Sequence, residues 1–349
     1  MEKSLEHRRL AAKVPETLAG LLGVSLADIE VRAANGSGAD LMIVTGKTFV
    51  IEVNKSTSAA LIAAVAKKAQ SAAAQVQGAL PVVAVPFMGD AGRKICQEAG
   101  VSWLDLSGNA HIVAPGLRVI VEGKPNRFKT VGRPPNLFAP KSSRIVRWLL
   151  IQAGQHHSQR EIARSTGLDE GFVSRLVARL EKEEYIVRDE RGGVRPKDPG
   201  LLLEAWREAY KFSKHTLHQG HVAARSGEAL LRFVADTLSR QNLEHAATGL
   251  AAAWALTRFA AFRTVTVYLA GDPSTALLDA LDFRLDPRGA NLWLVVPNDE
   301  GVFQGALEQD GIHCVHPVQV YADLKDHPER APEAAERVRG ECLTWRLDG

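Results

Sequence analysis

Cysteine is scarce in this chain of 349 residues: Cys96, Cys314 and Cys342 stand far apart. That excludes a zinc-ligand spacing and a disulfide framework, and it fits a reducing, cytoplasmic setting. No run approaches the roughly 18 uninterrupted apolar residues of a membrane span. The opening MEKSLEHRRL has charge but no apolar stretch, so it does not read as a secretory signal. A membrane is therefore not an expected partner. Net charge is also small: 43 basic against 40 acidic residues give +3, too balanced to demand a nucleic-acid partner. One local absence says more. Between Lys124 and Arg147 there is no acidic residue, while Lys124, Arg127, Lys129, Arg133, Lys141, Arg144 and Arg147 all fall there. The other pole is the acidic carboxyl-terminal region, with Asp323, Asp326, Glu329, Glu333, Glu336 and Glu341.

Element patterning predicts a multidomain α/β protein. Residues 1–121 alternate helices with short apolar strands. A helix is expected over Leu5–Leu22, strands over Ala39–Thr45 and Thr48–Val53, and an Ala-rich helix over Ser58–Gln77. A buried strand from Pro81, a helix over Gly89–Ala99 and extended pieces at Ser102–Leu106 and Gly108–Val113 follow. Residues 122–141 hold four prolines and no hydrophobic period, which reads as a basic linker. Residues 142–198 form a second domain and 199–349 a third, again α/β. The third has helices expected at Gly227–Gln241, Gly249–Phe259, Ser274–Leu281, Val302–Glu308, Pro317–Asp326 and Pro332–Glu341. Its strands are expected at Thr264–Leu269, Asn291–Val296 and Cys314–Pro317.

The middle domain carries the sharpest signal, a winged helix-turn-helix. Ser142–Gln152 is a helix burying Ile145, Trp148 and Leu149 on one face. Ser158 with Glu161 makes a capping box, and Gly167 ends the helix it starts. Asp169 caps a third helix whose core stripe is Phe172, Val173, Leu176, Val177 and Leu180. Ser174, Arg175, Arg179 and Lys182 then face outward, where Arg can donate two hydrogen bonds to guanine in the major groove. A hairpin turning at Gly192-Gly193 forms the wing, flanked by Arg188, Arg191, Arg195 and Lys197. Arg133, Lys141 and Arg144 add phosphate contacts at its entry, and Gly132-Arg133-Pro134-Pro135 resembles an AT-hook core. The alternative is a winged helix used for protein contacts, with solvated cations. The pair His156-His157 reads as an exposed loop, not a metal site.

Gly38-Ala39-Asp40, followed by Phe49-Val50-Ile51-Glu52-Val53-Asn54-Lys55, resembles the PD-(D/E)xK core of restriction-endonuclease-like domains. The resemblance covers about residues 33–113. It implies a divalent cation, Mg or Mn, held by Asp40 and Glu52, with a lysine two residues beyond the Glu activating water. Here that position is Asn54. Lys55 is one residue late, and successive strand side chains point to opposite faces. An inactive domain with no cofactor is the favoured reading. A nuclease using Asp40, Glu52 and Lys55, delivered to DNA by the winged helix, is the alternative. For Asp105, in the Asp105–Ala110 turn, two readings stand: a member of that acidic cluster beside Glu52, or part of a polar turn.

Thr248-Gly249-Leu250-Ala251-Ala252-Ala253-Trp254, Pro317–Lys325 and His327–Ala331 resemble the carboxyl-terminal region of AbiEi-type antitoxins of type IV toxin–antitoxin systems. The resemblance spans about residues 245–338. It implies a DNA-binding autorepressor that pairs a winged helix with an α/β domain and binds inverted repeats upstream of its operon. A cognate toxin is an implied partner. The nuclease-like domain ahead of the winged helix is a departure from that plan. A nucleotidyltransferase site is excluded, because the strand from Thr264 carries no acidic pair. His313, Cys314, His316 and Asp323 read as a core strand and turn. Trp254, Tyr268 and Trp293 would line an effector pocket if the domain is a sensor, although core packing is the favoured reading. The expectation is a sequence-specific regulator of double-stranded DNA, acting as a homodimer because palindromic sites reward a repeated surface.

Overall fold

The computed structural model describes residues 5–32, 39–128, 137–241 and 243–345. It is a mixed α/β protein with two compact units, Met1–Pro134 with Lys182–Tyr185, and Pro135–Glu181 with Ile186–Gly349. No helix among the described residues is long and apolar enough to cross a membrane.

The first unit is built on seven strands: β1 (Glu30–Arg32), β2 (Leu41–Thr45), β3 (Lys47–Val53), β4 (Leu80–Val85), β5 (Ser102–Asp105), β6 (Ala110–Ala114) and β7 (Leu117–Val121). They lie in chain order, with β3, β4 and β5 parallel and the outer pairs antiparallel. Alternation on β3 divides the sheet's two faces. Phe49, Ile51 and Val53 pack with Leu10, Val14 and Leu18 of helices α1 (Leu5–Ala11) and α2 (Val14–Leu22). Val50 turns to the other face, against Ala72 and Ala73 of α3 (Ala59–Ala73). The small side chains of α3 let it lie close to the sheet, next to α4 (Asp90–Glu98).

The single helix expected over Leu5–Leu22 is two. Pro15 in the first turn of α2 has no N–H to continue the earlier ladder, so the chain turns at Ala12-Lys13. The short, polar β1 and the edge strand β7 were not visible as strands. Gly46, at φ +62°, makes the tight turn expected between β2 and β3.

The second unit opens with α5 (Pro140–Ile151), α6 (Gln159–Thr166), α7 (Glu170–Lys182), the hairpin β8 (Ile186–Arg188) and β9 (Val194–Pro196), and α8 (Pro199–Ala209). Then come β10 (Thr216–His221), α9 (Gly227–Arg240), β11 (His245–Thr248), α10 (Gly249–Thr257), β12 (Val265–Leu269), α11 (Thr275–Ala280), β13 (Arg284–Leu285), β14 (Leu292–Val296), β15 (Leu307–Gln309), β16 (Ile312–Cys314), α12 (Pro317–Asp323) and α13 (Ala331–Cys342). The sheet order is β13-β10-β14-β12-β11-β16-β15, with β12 and β14 parallel. The helix expected at Val302–Glu308 is a short 3-10 turn, Glu300–Phe303, followed by β15. Gly305 is the reason: its φ of +71° is left-handed, and a side chain there would strike Ile151. The strand expected at Cys314–Pro317 ends at Cys314, because Pro317 starts α12. The low-propensity sequences of β10 and β11 concealed both strands.

Candidate nucleic-acid interface

The helix-turn-helix forms where its caps place it. Ser158 Oγ accepts from the Glu161 N–H at 3.2 Å, Gly167 ends α6 at φ +66°, and Asp169 Oδ1 accepts from the Phe172 N–H at 3.0 Å. The expected reciprocal half of the capping box is replaced. The Glu161 carboxylate lies 2.9 Å from His157 Nδ1 instead. His157 is not an exposed loop residue: it is 5% exposed, packs edge-on against Trp148, and pairs its backbone with Val194 of the wing. It joins α5 to the hairpin.

On α7, Val173, Leu176, Val177 and Leu180 are buried and Ser174, Arg175 and Lys182 are exposed. Phe172 is only half-buried, with the Lys141 ammonium 5.4 Å from its ring centroid. Arg179 is half-buried and engaged, and so is less available than its place on the helical wheel suggested. On the wing, Arg191 and Lys197 are exposed and Arg195 is half-buried. The turn has Gly192 at φ +83°.

Two cations expected to face DNA are held by carboxylates of the protein itself. Arg188 grips both oxygens of Glu181, at 3.1 and 2.8 Å, and donates to the Gly192 carbonyl. It braces the wing against α7 and holds the Glu181 carboxyl below its usual range. Arg144 gives Nε and Nη2 to Asp299 and Nη1 to Glu300, all at 2.8–3.0 Å. It is a tie between α5 and the turn before Gly301, not a phosphate contact. Arg133 and the fragment Gly132–Pro135 lie outside the described residues. Two exposed cations were missed, Arg160 and Arg164 on the outer face of α6. Their spacing of four residues was the available signal.

Contrary to the one-face expectation, α5 is buried nearly all round, because the carboxyl-terminal α/β portion packs on it. Arg147, 2% exposed, donates to Gln319 Oε1 at 2.9 Å. Gln319 Nε2 donates to Asp323 Oδ1, which also accepts from the Tyr210 and Tyr268 hydroxyls, while Thr248 Oγ1 donates to Oδ2. Burial pushes the Asp323 carboxyl up to about 6, and those four hydrogen bonds pull it back. Thr248, Gln319 and Asp323 belong to the segments that resembled antitoxins. Gln319 ties Arg147 of the winged helix to the α/β portion, and Asp323, itself held by Thr248, fixes Gln319.

His313, Cys314, His316 and Asp323 do not converge. Cys314 is in the core, and His316 caps α12 by accepting from the Val318 N–H. Trp254, Tyr268 and Trp293 do not share a pocket either. Trp254 packs on Phe262, Tyr268 joins the Asp323 network, and Trp293 stacks on His327.

In the first unit, Glu52 is buried and Lys68 Nζ of α3 sits 2.7 Å from its Oε2. Asp40 Oδ2 accepts from the Val53 N–H, and His7 Nε2 lies 3.2 Å from Oδ1. Burial and the neighbouring Asp40 push the Glu52 carboxyl up, while Lys68 opposes them. Lys55 does not reach this pair. It extends to Glu6, 3.7 Å away on the surface. Lys68, sixteen residues downstream on another element, was missed because sequence spacing does not show it. Asp105 is likewise apart, binding the N–H groups of Met88, Ser107 and Asn109 in its own turn. Glu52 Oε2 and Asp40 thus have internal partners, while Glu52 Oε1 is buried without one. Among the described residues no group of three His, Cys, Asp or Glu side chains could hold a metal ion.

Comparison with known proteins finds two family matches, which between them span residues 139–344. Residues 139–195 match the family described as "MarR family". Residues 197–344 match the one described as "Transcriptional regulator, AbiEi antitoxin, Type IV TA system". No curated protein and no solved structure gave a match. Similar to a MarR-type winged helix over one segment and to an AbiEi-type antitoxin over the next, the chain is a DNA-binding transcriptional regulator.

Proposed function

We propose that the protein represses its own operon as a homodimer on an inverted repeat, in the cytoplasm, with a cognate toxin encoded alongside. The observation that carries this reading is the face of α7 opposite its buried stripe, where Ser174 and Arg175 stand exposed on a helix whose last turn braces the wing. In this arrangement α7 enters the major groove and Ser174 and Arg175 reach base edges, with Arg179 at the margin. Lys182, Arg191, Arg195, Lys197 and Lys141 contact phosphates, joined by Arg160 and Arg164 of α6. Arg133, ahead of α5, reaches the minor groove. Arg175→Ala should then cost about 1–3 kcal/mol on the upstream repeat and much less on random DNA, read by fluorescence anisotropy. Equal losses on both would assign Arg175 to phosphate, and no loss would remove α7 from the interface.

The first unit is read as a restriction-endonuclease-like domain that does not cut and needs no metal. Asn54 stands where that family places lysine, and Lys68 neutralises Glu52. Glu52→Ala should leave DNA intact and bound as in the wild type. Mn-dependent cleavage that Glu52→Ala abolishes would overturn this reading.

A further inference from the structure

The seven-stranded sheet of the first unit ends in an open edge. β7 pairs with β6 on one side, and no strand among the described residues pairs with its other side. The turn between them is the two residues Pro115 and Gly116, closed by Ala114 opposite Leu117. A two-residue turn makes that closing pair a hydrogen-bonded one, so Leu117, Val119 and Val121 direct their N–H and C=O groups to β6. Those of Arg118 and Ile120 point out of the sheet edge, and Glu122 is the next position in the same alternation.

The side chains of β7 follow the same alternation. Leu117 and Val119 pack on the core, while Arg118, Ile120 and Glu122 are exposed. Ile120 is 43% exposed, and Val113, on the same face of β6, is 45% exposed, so apolar surface is left in water at this edge. Neither Arg118 nor Glu122 has an ion-pair partner among the described residues. The opposite edge of the sheet differs. β1 is three residues long, and its Glu30 and Arg32 already bond each other at 2.7 Å.

A second copy of the chain complements this edge in one antiparallel register. The outward backbone groups lie at Arg118, Ile120 and Glu122, so a two-fold axis passes at one of residues 118 to 122. An axis at Arg118 sets like charges opposite each other, and so does one at Glu122. An axis at Val119 or Val121 sets Ile120 opposite a charge. An axis at Ile120 sets Arg118 opposite Glu122 of the other copy, twice by symmetry, with Ile120 against its own counterpart. We propose that β7 is a dimer interface, where two copies join edge to edge about Ile120 into one continuous sheet. Main-chain bonds at Arg118, Ile120 and Glu122 and two Arg118–Glu122 pairs hold it. This supplies the contact surface for the homodimer reading, on which it rests.

The test is sedimentation equilibrium of the full chain without DNA, so that DNA recognition does not enter. A reversible dimer is expected. Arg118→Glu and Glu122→Arg each set like charges opposite each other twice, and each should weaken association about tenfold or more. Circular dichroism should not change, because both side chains are exposed. Combining the two substitutions restores opposite charges and should restore the dimer. Under mild oxidation Ile120→Cys should form a disulfide-linked dimer, whereas Arg118→Cys should not, since the two copies of residue 118 stand roughly 14 Å apart. A wild-type dimer that neither single reversal weakens, that the double variant fails to restore, or whose Ile120→Cys links no faster than Arg118→Cys overturns the β7 interface and leaves the homodimer reading standing. A monomer at every concentration overturns both, and anisotropy on the upstream DNA then still judges the repressor separately.

Discussion

Arg144→Ala should lower folding stability and leave the salt dependence of DNA binding untouched, whereas Lys141→Ala should do the reverse. The Arg144 side chain is 17% exposed and Asp299 is 9% exposed, so water screens their pair little. Glu300, at 79%, adds almost nothing to stability. Hydrogen bonds to charged partners contribute about 1.5–3 kcal/mol net, and truncation strands the Asp299 carboxylate with the Gly301 N–H at 2.8 Å as its remaining close donor. A loss of about 2 kcal/mol is therefore expected. Urea unfolding reads it as a lower midpoint with unchanged m. Lys141 is exposed, with its ammonium over the Phe172 ring. Its removal should barely move the midpoint, but it should reduce the slope of log K against log salt by about 0.9 if it meets one phosphate. An Arg144→Ala protein with unchanged midpoint and a flatter salt slope would refute the assignment of Arg144 to the internal tie.

Other consequences are equally direct. Arg147→Ala removes a buried donor and leaves Gln319 Oε1 unpaired, costing about 3 kcal/mol, whereas Arg147→Met keeps volume without a buried charge and should cost less than half of that. Equal losses in urea melts would mean that the charge itself is needed. Gly249→Ala should destabilise by about 2 kcal/mol or more, since φ is +58° and the new Cβ would lie 2.6 Å from the His327 ring. A thermal midpoint within error of wild type would contradict this. Burial lowers His215, His316 and His327 to about 4, so they bind protons on unfolding and their contribution is lost as pH falls from about 6.5 towards 4. Asp323 works oppositely, its stabilisation being lost as pH rises through about 6, and so does the raised Glu52, but with His245 also lowered they are two groups against four. Stability should therefore rise with pH across that window, and a flat profile would count against these burial assignments.

The winged helix was legible in the sequence because its signals are local. Ser158, Gly167 and Asp169 act within one helical turn of themselves, and the stripe from Val173 to Leu180 is a matter of period. What escaped was non-local. Arg144 and Arg188 looked like free cations because Asp299 lies 155 residues from the first, and Glu181 sits across a turn from the second. Lys68 could not be matched to Glu52 without knowing that α3 lies over β3. The strands β10 and β11 are polar or Ala-rich and are specified by their neighbours, not by propensity. The antitoxin-like segments were visible as a resemblance, but the bond from Gln319 to Arg147 of α5, with Asp323 behind Gln319, needed the fold.

The central claim is that the winged helix recognises DNA without metal and without cutting it. It is tested most directly by one gel-shift titration of the purified protein on its own upstream DNA and on a random fragment, with EDTA in one series and Mn²⁺ in the other. The account predicts a retarded, intact band selective for the upstream DNA in both series. Absence of selectivity, or cleavage in Mn²⁺ that disappears with Glu52→Ala, would contradict it.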